Sequence, residues 1–227
     1  MARLFTNSFT FAEIAVKHFL SGEEAYQKLL PLFSQEDVDA MYQRSLLEMP
    51  AEQEFSISIC FSAMALEAFI YDYAARNLGD GYVSKYLDKL DLTSKWLVIP
   101  RLITGSVIDP GCRAINLLRE LVQERNRLVH SKSKAVSFTP EFLEWFAETQ
   151  SYLPERLSAL KGLMAVYHLA ALLDGLDGEA HARFSLSIGS CYNADNPADF
   201  TMHEDWASIF PLFRSLSKQN PPRRTTK

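Results

Sequence analysis

"ISICFSAMALEAFIYDYAA", residues 57–75, is the longest apolar run in the chain, and its reading decides between a membrane span and a buried helix. A span needs about 20 predominantly apolar residues with few or no charges. Glu67 and Asp72 lie inside this run, and the sequence around it keeps a strong helical period. Projected at about 100° per residue it has almost no polar face, which predicts the central, fully packed helix of a soluble bundle.

Working outward, the central helix is expected to run from about Ala51 to Asn77, with Gly79 as its stop. Ser34 before "QED" reads as the cap of an earlier helix that Pro50 separates from the central one. "YVSKYLDKL" (82–90) follows the "GDG" turn as a short amphipathic segment. Thr93 or Ser94 is expected to cap a helix that Pro100 kinks or ends. Pro110 and Gly111 precede a helix that reaches His130. Further helices are expected from Thr139–Pro140 to Gln150, from Pro154 to Leu173, and over "EDWASIFPLFRSL", interrupted at Pro211. "ARFSLSI" (182–188) alternates with period two and suggests a strand paired with "SFTF" (8–11). The expected fold is all-α: an antiparallel helical bundle with extra peripheral helices and at most one minor two-stranded β element. One helical domain is expected over residues 1–217, followed by a disordered basic tail at 218–227.

Composition narrows the function. The 227 residues are 48% hydrophobic and carry a net charge of −5, which argues against a general nucleic-acid coat but permits a local basic cleft. The N-terminus lacks the apolar core and cleavage site of an export signal. Cys60, Cys112 and Cys191 are odd in number and widely spaced, so no disulfide framework or zinc site is suggested, and a cytoplasmic location fits. There is no Walker A loop, no G-x-G-x-x-G after a strand and no G-x-S-x-G elbow. His168, in "GLMAVYHLAALL", has no metal-ligand spacing around it and reads as a core or boundary histidine.

The exception to ordinary patterning is "RNRLVH", residues 125–130. Taking Leu118 as the centre of the apolar stripe, Ala114, Leu121, Val122, Leu128 and Val129 fall within about 80° of it, and so does Arg125. A guanidinium cannot shed its proton, so facing the core it needs a partner. Glu67 on the central helix is the candidate, giving either a buried ion pair that fixes helix register or part of a pocket. His130 lies five residues after Arg125, near the end of the helix, where the macrodipole favours its cation. It reads either as a cap or as a proton-transfer group. Six basic residues and two acids occupy residues 113–134, a local positive patch that would draw a phosphate.

"RNRLVH" resembles the R-N-x-x-x-H motif of the HEPN superfamily, and "FSAMALEAFIYDYA" (61–74) with "LTSKWLVIPRLITG" (92–105) is similar to the acidic helix and intervening segment of its members. The likeness covers about residues 50–134. It implies an all-α bundle and, in active members, a metal-independent endoribonuclease without cofactor. By that likeness Arg125 holds the scissile phosphate and His130 moves protons. Asn126 orients His130 or the phosphate, Glu67 positions Arg125 or tunes His130, and Arg127, Lys132 and Lys134 guide the RNA backbone. It further implies RNA or a nucleotide as partner, a homodimer packed along the motif helices, and an antitoxin or other protein partner if the chain serves in defence. A catalytically silent module using the same cleft, and a helical interaction protein in which Arg125 and Glu67 are purely structural, are the competing readings.

Overall fold

The computed structural model of the chain describes residues 7–35, 37–130, 153–176, 189–191 and 200–218. Among the described residues six longer helices carry the fold: α1 (Ser8–Leu29), α2 (Val38–Leu78), α3 (Leu92–Thr104), α4 (Arg113–Val129), α5 (Pro154–Leu176) and α6 (Glu204–Lys218). A single α-turn (Asp80–Tyr82) and a π-turn (Val83–Leu87) link α2 to α3. The fold is all-α, with one minor antiparallel pair, β1 (Gly189–Cys191) and β2 (Phe200–Met202), in which Ser190 lies opposite Thr201.

The side-chain contacts fix the helix directions. Phe11 meets Phe61, Phe19 meets Phe55, and His18 Nδ1 lies 2.6 Å from Glu54 Oε2, so α1 runs antiparallel to α2. Glu120 binds Lys161 while Arg127 binds Glu155, so α4 and α5 are antiparallel as well. Arg156 of α5 returns to α1, donating from Nε to Glu23 Oε2 at 2.6 Å and lying over the Tyr26 ring. These four helices form an up-down-up-down bundle. α2 and α5 approach across it where both are small: a Cβ on Gly162 would lie 3.0 Å from Leu121 Cδ1 and 3.5 Å from Ser62. Gly22 does the same on α1, where an added Cβ would stand 2.7 Å from the Phe55 ring. One hydrophobic cluster draws residues from all six helices, with Phe19, Phe55, Trp96 and Trp206 among its largest members.

The central helix is the expected one, but its start is different. α2 is continuous through Pro50 for 41 residues, so Pro50 does not separate two helices. Its missing N–H leaves only the Leu46 carbonyl without an intrahelical donor, and both residues face solvent, where water serves the carbonyl. The cap is not Ser34: Asp37 Oδ1 accepts from the Ala40 N–H at 2.9 Å, while Ser34 Oγ donates to the Pro31 carbonyl. Gly79, at φ 86°, closes α2 as expected. Asp91, not Thr93 or Ser94, caps α3, accepting from the Ser94 N–H and hydroxyl, and that hydroxyl bond holds its carboxyl below the usual range. Pro100 does not end α3, which continues to Thr104 and closes on Gly105 at φ 76°. Pro211 likewise lies inside α6 without interrupting it.

Residues 8–11 open α1 rather than forming a strand, which rules out the expected pairing with residues 182–188, themselves outside the described residues. The expected helix at 139–150 and the tail beyond residue 218 also fall outside them. α2 and the Pro154–Leu173 stretch of α5 are long and apolar enough by composition to cross a membrane, at mean hydropathies of 1.4 and 1.2. Their windows are 50% and 56% buried inside the bundle, so much of that apolar surface is the core itself.

Candidate functional site

α4 is strongly amphipathic, with Ala114, Ile115, Leu117, Leu118 and Leu121 buried against α2 and α5. Toward its C-terminus the stripe opens: Val122, Arg125 and Leu128 are half-buried, while Val129 and His130 are exposed. Arg125 therefore occupies the stripe, as its spacing predicts. Its Nε is buried and has no hydrogen-bond partner, and the guanidinium makes no ion pair among the described residues. On α2 it acts on Cys60. Burial pushes the Cys60 thiol up, and the nearby Arg125 charge pulls it partly back. Because Leu121 and Ser62 both border Gly162, the step from Leu121 to Arg125 runs back along α2 toward Cys60, as an antiparallel neighbour must.

Glu67 is not the partner of Arg125. It stands seven residues beyond Cys60 on the same stripe of α2, about 10 Å further along the helix. Its Oε1 accepts from Lys95 Nζ at 3.0 Å, and the same ammonium reaches Asp88 Oδ1 at 3.3 Å. The Lys95 side chain is only 4% exposed, whereas those of Glu67 and Asp88 are about half exposed, so two hydrated carboxylates cover one buried cation. The trio lines a cleft of about 360 Å³ with Phe11, Met64 and Tyr71. Sequence reasoning missed Lys95, yet the projection that singles out Arg125 would have found it. Lys95 falls about 60° from Leu92 on the arc that also carries Trp96 and Ile99.

His130 is the C-terminal cap of α4, at φ −109° and ψ 24°, and its N–H donates to the Asn126 carbonyl at 2.9 Å. The Asn126 carboxamide is exposed and makes no hydrogen bond among the described residues. Arg127 is committed elsewhere: Nε donates to Glu124 Oε2 at 2.8 Å and Nη2 to Glu155 Oε1 at 2.9 Å, tying α4 to α5. An RNA phosphate would have to compete with both carboxylates. Lys132 and Lys134 lie outside the described residues.

The charge around the motif is mixed. Glu52, on α2 near Glu155, has its carboxyl raised by burial and then by the charges of Glu155 and Glu48. Arg119, nearer the start of α4, donates to the Pro110 carbonyl. Arg119 and Arg127 are therefore each engaged within the chain rather than joined in one free basic patch. Arg113 faces His168, whose ring is held below its ordinary pKa by burial and by that arginine. Among the described residues, no three His, Cys, Asp or Glu side chains converge as a metal-binding set.

The outer face of α4 carries Glu120, Gln123, Glu124 and Arg127, so a dimer packed along the motif helices would bury charged groups already engaged within the chain. No protein family, curated protein or solved structure matches this chain.

Proposed function

We propose that the chain is an HEPN-like, metal-independent endoribonuclease of the cytoplasm, acting in defence, toxin–antitoxin or stress response. The observation that carries the reading is the guanidinium of Arg125, without a partner among the described residues, five residues before the exposed histidine that caps the same helix. In this reaction the 2′-hydroxyl oxygen attacks phosphorus, the bond to the 5′-oxygen breaks, and the product strand keeps a 2′,3′-cyclic phosphate. Negative charge gathers on the phosphoryl oxygens, which a fixed guanidinium stabilises. His130, whose imidazole can both accept and donate a proton, takes the hydroxyl proton or gives one to the leaving oxygen. Asn126, with its carboxamide unengaged among the described residues, is placed in sequence to orient either group. Free thiols at Cys60 and Cys112 suit a reducing compartment.

The carboxylates around the motif favour a second reading. Glu124 and Glu155 occupy Arg127, and Glu52 adds negative charge nearby, which suits a silent module binding a single nucleotide or a protein better than a long RNA backbone.

The test is incubation of the purified chain with structured and single-stranded RNAs in EDTA, beside Arg125→Gln and His130→Ala, with circular dichroism to check folding. Cyclic-phosphate ends lost in both folded variants support the nuclease. Saturable nucleotide binding without cleavage, lost in Arg125→Gln alone, supports the module. Cleavage that survives both variants overturns the assignment of Arg125 and His130.

A further inference from the structure

The first third of α2 carries an apolar face that none of the described residues covers. Val38, Met41, Tyr42, Leu46 and Met49 are each between 51% and 80% exposed. With Ser45 they occupy an arc about 140° wide at 100° per residue, the width of a helix face that normally packs. The opposite side of the same turns is already used: Ala40 is buried, Leu47 packs on the core, and Arg44 lies over the Phe33 ring while pairing with Glu48. No charged residue interrupts the exposed arc between Val38 and Met49, and its next position along the helix is Glu52, where it ends.

We infer that this face is the interface of a two-fold homodimer in which the α2 helices of two copies pair antiparallel about a point between Gln43 and Arg44. The sequence is self-complementary in that register. Val38 comes opposite Met49, Met41 opposite Leu46, and the Tyr42 ring opposite the small Ser45, large against small as interdigitating helices require. Gln43 and Arg44 project to the sides of the seam, so the axis passes between them without a charge clash.

Five large side chains with on the order of 100 Å² exposed apiece, fully covered on both copies, would remove about 1,000 Å² in total, the threshold for a specific interface. A membrane surface is the poorer occupant. Asp37, Asp39, Glu48 and Glu52 flank the face, where interfacial helices carry lysine and arginine. Those acids also approach one another across the dimer, so added salt strengthens it. Arg125 faces α2 at Cys60, about 25 Å along the helix from the axis at 1.5 Å per residue. The two motifs then stand about 50 Å apart, so this interface is separate from the motif-helix dimer that the resemblance implies and does not itself assemble a shared cleft. This dimer does not depend on the nuclease reading.

Sedimentation velocity of the full chain from 1 to 200 µM tests it. A species of twice the 25.8 kDa chain mass is expected, strengthened by salt. Met41→Glu and Leu46→Glu, both exposed and folded by circular dichroism, raise its dissociation constant at least tenfold, and Val129→Glu on α4 leaves it unchanged. Oxidation of mixed Val38→Cys and Met49→Cys chains yields a cross-linked pair absent from either variant alone. A monomer at 200 µM, a dimer sensitive to Val129→Glu but not Leu46→Glu, or monomeric binding to anionic vesicles through this face each overturns it.

Discussion

Replacing Lys95 and its two carboxylates in turn gives unequal losses, and the inequality follows from which partner is buried. Lys95→Met keeps the packed stem and removes the charge; Glu67 and Asp88, about half exposed, rehydrate, so the change lies within about 1 kcal/mol. Glu67→Gln with Asp88→Asn does the opposite. It leaves an ammonium that is 4% exposed with no anion, at about 3–5 kcal/mol. In the Lys95→Met background the same two changes become neutral to within about 0.5 kcal/mol, because nothing charged is left to strand. Urea unfolding of the single, double and triple variants measures all three quantities. The same assay separates Glu67 from Arg125: Glu67→Gln and Arg125→Met add to within about 0.5 kcal/mol. A coupling above about 1 kcal/mol between Glu67 and Arg125, or an acid double variant as mild as Lys95→Met, refutes the assignment.

Pro50→Ala restores the N–H to the Leu46 carbonyl inside an exposed turn of α2 and stabilises the chain by about 1–3 kcal/mol in thermal or urea unfolding. Gly22→Ala drives a Cβ to within 2.7 Å of the Phe55 ring and destabilises by about 1–3 kcal/mol, with the Phe55→Leu background restoring part of it. His168 has its pKa lowered by burial and by Arg113, so the fold favours the neutral ring. That stability is present above the ordinary histidine pKa and is lost as pH falls through the lowered folded value. His168→Gln should therefore flatten the decline in unfolding free energy on the acid side of neutrality.

The central helix, the motif helix and the bundle were legible because each depends on local periodicity, and Gly79 closes α2 where a positive φ is required. The prolines misled. Pro50, Pro100 and Pro211 each remove one N–H, but none removes the side-chain packing that holds its helix, and packing decided. The caps slipped by a few residues because Asp37 and Asp91 compete with nearby serines and bind more strongly as anions. The partner of Glu67 differs from the expected one for another reason. The periodicity of one helix reveals that a charge faces inward, but which helix brings the counter-charge depends on their relative translation. Arg125 and Lys95 were both eligible, and only the packed register chooses Lys95.

That choice separates two inward-facing cations that look alike in sequence. Lys95 is neutralised twice over and is explained by structure. Arg125 is not, and an unsatisfied buried donor carries a penalty of about 1–3 kcal/mol. The group it acts on across α2 is the Cys60 thiol. As a thiolate it would be a fitting counter-ion, but burial raises its pKa more than Arg125 lowers it, so at neutral pH it stays uncharged and does not compensate. With Glu67 held by Lys95 and Cys60 neutral, the described chain supplies no anion for Arg125. A folded protein that keeps such a group at the open end of its motif helix is consistent with an anion arriving from outside, and in the proposed reaction that anion is the scissile phosphate.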